Sequence, residues 1–411
     1  MNKTRNGLVG KRGYRSYGVG EIAFQEGGLR ESEINLVLTW RRSFKYKHYQ
    51  YLHAQYEPLA RLWRVNDADL PMYLTREKNL KDLDRTISKL LDDTKFGGTW
   101  IDVKANKLTI NTVDFSDVGH IISLPEIRPY RNLLTFLPAN NSLYQLSFVF
   151  EQIIQLAKAK NADGIFIYVD IRLNNVVIYF PPQNVIDNRD KEFIDATMPY
   201  NPIIFYENLD TPIMKRQKRG LIKRRVLCGE VTAGHCYNRD TSNKYFHMPW
   251  GSEPTTYFIG QMVYHSVLKY DFGLIEFRGT HTNPRPMIRN LDSSRYRELH
   301  MRDTTQVSSH GVHLCKSGLI TQVTCGYVRA FDGISISNGL FKTDLIITDM
   351  YSYRGDSGSP VYFYSENLDT VSLNGILYGG AQSINHSNDV TAILPLDIIL
   401  SQVKIKPILS L

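Results

Sequence analysis

Three short stretches carry the side-chain types that acyl-transfer chemistry needs, and they follow one another in a fixed order. In Val231-Thr232-Ala233-Gly234-His235-Cys236, an apolar strand runs into small residues and then a histidine. In Lys269-Tyr270-Asp271-Phe272-Gly273-Leu274-Ile275, an aspartate heads an alternating strand. The third stretch is Tyr353-Arg354-Gly355-Asp356-Ser357-Gly358-Ser359, followed by Pro360. A serine hydroxyl is a weak nucleophile until a base takes its proton and donors stabilise the oxyanion that forms. Glycines at 355 and 358 allow backbone angles closed to other residues, so the N–H groups of Gly355 and Ser357 can converge on one point. His235 is then the general base, Asp271 fixes its tautomer, and Ser357 attacks a carbonyl carbon. A lone Gly-Asp-Ser-Gly is an ordinary turn, and the ordered set of three motifs carries the reading.

From about residue 220 to its end the chain resembles a chymotrypsin-fold serine protease of the streptogrisin and α-lytic protease type. The pointer to that branch is His313-Leu314-Cys315-Lys316-Ser317-Gly318, with Val323-Thr324-Cys325-Gly326 following. It is similar to the branch's Cys-basic-Ser-Gly and Thr-Cys-Gly segment, down to the ten-residue step between the cysteines. The resemblance implies a substrate-pairing edge strand, Tyr378-Gly379-Gly380, that holds peptide backbone by β-augmentation, with Tyr378 in place of the usual serine. It also implies that Asp356 points inward and forms a structural ion pair with Lys316. Three departures stand out. Cys228 lies only eight residues before Cys236, Ser359 replaces a second glycine, and the cysteine pair that usually braces the specificity pocket is missing.

At 411 residues the chain is long enough for two or three domains with sizeable cores. Its 42% hydrophobic and 22% charged residues are those of a globular protein. No apolar run approaches the roughly twenty residues that cross a bilayer, so no membrane helix is expected. The net charge of +8 invites a nucleic-acid reading. Much of that charge sits in linker-like runs and speaks to solubility, so no nucleic-acid partner is expected. The cysteines Cys228, Cys236, Cys315 and Cys325 suggest two short-range disulfides and an oxidising compartment. A zinc site from His310, His313, Cys315 and Cys325 is the rival, and it is set aside in favour of no metal and no cofactor. The resemblance and the cysteines imply a secreted protein, although no signal peptide is visible at the start. Asn140 and Asn385 are glycosylation acceptors only in an exported chain.

Taken in order, residues 1–54 read as a poorly ordered leader and 55–211 as an α+β pro-domain. That region shows helical spacing from Tyr56, with a break at Leu70-Pro71. A hairpin over 99–113 follows, similar to one in pro-regions of streptogrisin-like proteases. Next come a helix over 146–159 and strands at 165–170 and 176–180. Residues 212–225 form a basic processing linker, with cleavage expected at Arg216 or Arg219. Residues 226–411 form the protease domain, an all-β double barrel divided near residue 305. A C-terminal helix from Leu396 to about Ile405 closes it. The function expected is a monomeric serine endopeptidase made as a zymogen, whose partners are polypeptide substrates and its own pro-domain. The alternative is a catalytically impaired homologue acting as a binding protein, motivated by Tyr378 and the short stretch before His235.

Overall fold

The computed structural model describes residues 57–208, 229–237, 243–247, 257–278, 284–383 and 388–410. The expected leader, the processing linker with Arg216 and Arg219, Cys228 and Asn385 lie outside these residues. The described residues open with a helix, Pro58–Trp63, which ends on Arg64 in the left-handed region, φ 53°. A second helix spans Leu70–Ile87. Pro71 sits in its first turn, where a missing N–H leaves no hydrogen bond unmade, so the expected break is a helix start.

Strands β1 (Phe96–Asp102) and β2 (Lys107–Thr112) form the expected hairpin. Strand β3 (Leu134–Pro138) then adds in parallel to β2. The Leu143–Ala159 helix starts on a capping box: the Ser142 hydroxyl accepts from the Gln145 amide, and the Gln145 side chain accepts from the Ser142 N–H. Strands β4 (Ile165–Asp170) and β5 (Asn175–Phe180) turn on Asn174 at φ 50°, a conformation asparagine tolerates. A helix over Asn188–Thr197 leads to β6 (Ile203–Tyr206), parallel to β5.

The C-terminal half is strand after strand. Strand β7 (Gly229–Thr232) runs beside β10 (Asp271–Phe277). Strands β8 (Lys244–His247) and β9 (Tyr257–Val267) complete an antiparallel sheet in the order β10-β9-β8. After β11 (Met287–Arg289) and β12 (Glu298–Asp303) come β13 (His313–Gly318), β14 (Gln322–Ser337) and β15 (Leu340–Thr348). Strands β16 (Pro360–Tyr364), β17 (Thr370–Ala381) and β18 (Val390–Pro395) precede a Leu396–Gln402 helix. That helix stops short of Ile405 because Val403 is already extended, φ −140°.

Antiparallel pairings run from β13 to β14, β15, β18, β17, β16 and back to β13, closing a ring of six strands. The described strands do not draw two separate closed barrels. Strand β14 overshoots the ring, with register shifts at Val328, Ala330 and Gly333 that twist its far end outward. There it pairs with β4, so β4, β5 and β6 extend the ring's sheet. An exposed edge of this length would otherwise offer unpaired N–H and C=O groups to solvent or to another chain.

Cores follow the same continuity. One apolar cluster joins Leu59, Trp63 and Leu80 of the first two helices to Leu314, Val361 and Leu377 of the ring. Another joins Tyr168 and Tyr179 to Phe272, Ile347, Tyr378 and Leu394. A third seats the Leu143–Ala159 helix on β4, β5 and the projecting end of β14.

Candidate active site

The turn that holds His235 is dictated by its glycine. A Cβ at Gly234 would collide with the carbonyl oxygens of Ser266 and Phe272, so only glycine lets the chain after β7 approach β9 and β10 this closely. His235 follows on a single 3₁₀ turn, and Asp271 is the first residue of β10. The buried Asp271 carboxylate grips that turn twice. The backbone N–H of His235 donates to Oδ1 at 2.8 Å, and Nδ1 lies 3.1 Å from Oδ2. A proton on Nδ1 satisfies that contact and leaves Nε2 as the basic nitrogen. The Tyr378 ring stands edge-on to the imidazole with centroids 6.1 Å apart, while its hydroxyl lies 3.3 Å from Ser335 Oγ on β14.

The Ser357 loop depends on its two glycines, Gly355 at φ 103° and Gly358 at φ 83°. A Cβ at Gly358 would strike the Thr232 side chain, which seats the loop directly on the last residue of β7, three residues before His235. Cys236 Sγ lies 4.0 Å from the Ser357 carbonyl oxygen, and the Gly358 N–H donates to Leu377 O at 2.8 Å, one residue before Tyr378. Three segments distant in sequence therefore meet here: 232–236, 355–359 and 377–380. Among the described residues, the N–H groups of Gly355 and Ser357 have no hydrogen-bond acceptor. They are free to receive an oxyanion.

Asp356 anchors the loop from beneath and is wholly buried, as is Lys316. Oδ1 accepts from the amides of Ile320 (2.8 Å) and Thr321 (3.2 Å). Oδ2 accepts from Thr321 Oγ1 (2.6 Å) and the Tyr353 amide (3.1 Å), and stands 3.3 Å from Lys316 Nζ. The ammonium also donates to Thr321 Oγ1 and to Gln322 O. Burial pulls Lys316 below the ordinary lysine range, and the Asp356 charge opposes that pull. A carboxylate with this many donors holds the loop's shape without a group from elsewhere.

Gly379 and Gly380 lie on β17 opposite Ala392 and Thr391, after a register shift at Leu377. Space around Gly379 is open, whereas a Cβ at Gly380 would press on Val390 O and the Ser352 hydroxyl. Ser352 Oγ lies 2.7 Å from Thr391 Oγ1, forming a hydroxyl pair beside this strand. Two contacts here have no motif in the sequence. The Asn208 amide donates to Gln382 O at 2.8 Å, and Arg354 opposes the rise that burial imposes on the Glu207 carboxyl. The segment just after β6 thus reaches the residue just past the end of β17. A backbone hydrogen bond to a strand edge leaves no residue-type signal to find.

Cys315 and Cys325 form a disulfide between directly opposed residues of β13 and β14. Cys236 is buried, and its prospective partner Cys228 is outside the described residues. The four residues weighed as a zinc set do not form one site. Two are locked in the disulfide, and both ring nitrogens of His313 are engaged, by Glu77 and by the Tyr364 amide. No described helix is long and apolar enough to cross a membrane.

No protein-family model and no curated protein sequence matches the chain. Among solved structures, it is similar to a chymotrypsin from Cellulomonas bogoriensis, at 20% identity over 44% of this chain and 85% of that one, TM-score 0.34. A second is protease A of Thermobifida fusca, at 18% identity over 44% and 85%, TM-score 0.35. A third, an alpha-lytic protease homolog, N4, matches at 14% identity over 46% and 97%, TM-score 0.34. The structural neighbours of this chain are chymotrypsin-fold bacterial proteases, similar to somewhat less than half of it.

Proposed function

We propose that this protein is a serine endopeptidase, made as a zymogen and secreted, that cleaves polypeptides through an acyl-enzyme on Ser357. The observation that carries the reading is the double grip of Asp271 on His235, beside a Ser357 loop seated on the strand that delivers the histidine. His235 Nε2 accepts the Ser357 proton as Oγ attacks the scissile carbonyl carbon, and the Asp271 carboxylate stabilises the imidazolium. The oxyanion is received by the Gly355 and Ser357 N–H groups, which supply the largest electrostatic contribution. His235 then gives its proton to the leaving amine. A water, deprotonated by the same nitrogen, hydrolyses the acyl-enzyme and regenerates Ser357. Gly379 and Gly380 hold the substrate backbone as an added strand.

Asn208, two residues past β6, donates to the carbonyl of Gln382, the residue after β17, which supports a reading in which the cleft is covered until the 212–225 linker is cut at Arg216 or Arg219. One observation favours the alternative reading, a binding protein of impaired activity: the bulky Tyr378 ring stands edge-on to His235, where the family has a serine, while its hydroxyl lies against Ser335. Hydrolysis of an unfolded protein substrate by the linker-cut chain separates the two. The account expects turnover that Ser357→Ala abolishes; equal, negligible turnover by both favours the binding protein.

A further inference from the structure

A cavity of about 300 Å³ lies apart from the triad, between the segment after β12, strands β14, β15 and β17, and the C-terminal helix. None of His235, Asp271, Ser357, Tyr378, Gly379 or Gly380 lines it, and its volume is at the lower end of the range for ligand pockets. Its walls carry three carboxylates, Asp332, Asp344 and Asp397, and no lysine, arginine or histidine. On a chain of net charge +8 this is a local reversal of sign. Asp332 falls where β14 and β15 shift register, between Ala330 and Gly333, an irregularity of the kind that re-aims a side chain. Partial burial, and after it the Asp344 charge, raise its carboxyl above the ordinary range. One oxygen of Asp344 is engaged by Lys269 at 3.1 Å and by the Tyr270 hydroxyl at 2.8 Å, and one oxygen of Asp397 accepts from Gln306 at 2.6 Å. The other oxygen of each, and both of Asp332, have no partner among the described residues.

A second observation is independent of these charges. Asn374, on β17, also lines the cavity and is only 5% exposed. Its Nδ2 donates at 2.5 Å to the carbonyl of Thr305, another wall residue, so the side chain reaches along the wall. Its Oδ1 is buried and has no hydrogen-bond partner among the described residues. A buried acceptor left unpaired is costly, and a ligand N–H would relieve that cost. Apolar wall comes from Val307, Phe331, Ile346, Leu373 and Leu396, and a ring such as that of Phe331 attracts cations. Among the described residues the carboxylates do not gather into a group that could hold a metal ion, so a point charge does not suit them. An aliphatic stem bearing a protonated nitrogen does: its N–H groups meet the carboxylates and Asn374, and its methylenes cover the apolar wall.

We infer that this cavity is a binding site for an alkylammonium group, recognised by Asp332, Asp397 and the Asn374 carbonyl oxygen and seated on the Phe331 and Leu373 side chains. The site is independent of the proposed peptidase activity, since no residue of the candidate active site lines it. The group has two sources, a free aliphatic amine or the lysine side chain of a polypeptide. To test it, full-length protein carrying Ser357→Ala, which prevents self-digestion, is titrated in a calorimeter with putrescine, with a blocked tripeptide that has a central lysine, and with the uncharged diol matching putrescine. The expected result is saturable one-to-one binding of putrescine and none of the diol. Asp332 and Asp397 are both exposed, so Asp332→Asn and Asp397→Asn should fold singly and together, as read by an unchanged melting temperature. Together they should weaken putrescine binding about tenfold, the combined size of two partly exposed ion pairs. If the tripeptide binds with the same sensitivity to these substitutions, the ligand is a basic side chain; if putrescine alone binds, it is a free amine. Absence of saturable binding by both probes overturns the inference. So does an affinity that both single variants and the double variant leave unchanged, which would place the amine elsewhere on the protein.

Discussion

One carboxylate fixes both the position and the protonation pattern of the candidate base: Asp271 accepts from the His235 backbone N–H through Oδ1 and faces Nδ1 through Oδ2. The backbone contact locates the turn, and the ring contact selects the tautomer. An Asp271→Asn variant can keep the first through its amide oxygen, but its NH₂ group then faces Nδ1 and favours the proton on Nε2. The fold should survive. The kcat for peptide hydrolysis should fall about 10⁴-fold near neutral pH, the loss such a change causes in a characterised triad. Thermal melting and kcat together check this; a fall below tenfold would show that Asp271 is only structural.

The Lys316–Asp356 contact makes a different kind of prediction, because both groups are wholly buried. Lys316→Met leaves a buried carboxylate without its cation, a change that costs about 3–5 kcal/mol in comparable pairs. Four other donors still hold Asp356, so the expectation is a destabilised but folded protein. Urea unfolding should register the loss. Activity per folded molecule should also drop, because the shift falls on the loop that presents Gly355 and Ser357; full activity in the folded fraction would dissociate the ion pair from the oxyanion loop.

His310 sets a pH dependence at the boundary between β1 and the ring. Its carbonyl accepts from the Ile101 amide, and its ring packs on Phe331 at 4.7 Å. Burial lowers its pKa from 6.5 to about 4, against a hydrogen bond that the ring donates to the Thr99 backbone, which raises it. Between those two values the unfolded chain binds a proton that the folded chain does not, so stability rises with pH across this window. It is fully present above about pH 6.5 and lost as pH falls towards 4, by up to about 3 kcal/mol for a shift of this size. His310→Gln removes the titrating group. The difference in unfolding free energy between wild type and variant should therefore shrink from pH 7 to pH 4.5; a constant difference would contradict the assignment.

What the sequence discloses divides along a physical line. Local patterns are legible: alternation marks β10, short apolar runs between turn residues mark β16 and β18, the glycines at 355 and 358 mark a loop that needs positive φ, and helical spacing marks Leu143–Ala159. Periodicity says which face of an element is apolar but not what that face meets. Nothing local marks Trp63 as the neighbour of His313, or the far end of β14 as the partner of β4. A separable pro-domain is the natural reading of a basic linker between two patterned regions. The shared sheet and shared cores come from pairings some 170 residues apart, such as Ile165 with Ile336. Lys316 is legible only through the resemblance of its Cys-Lys-Ser-Gly setting, since a lysine in a strand otherwise reads as exposed. Short strands such as β6 and β11 are too brief for alternation to register.

The central claim is that Ser357 is a nucleophile activated by His235. The most direct measurement is the reaction of linker-cut protein with a fluorophosphonate, followed by peptide mapping. The account predicts covalent modification at Ser357, approaching one label per chain, that is abolished by Ser357→Ala and strongly slowed by His235→Ala. Unlabelled Ser357 in cut protein whose circular dichroism matches the uncut chain would contradict it.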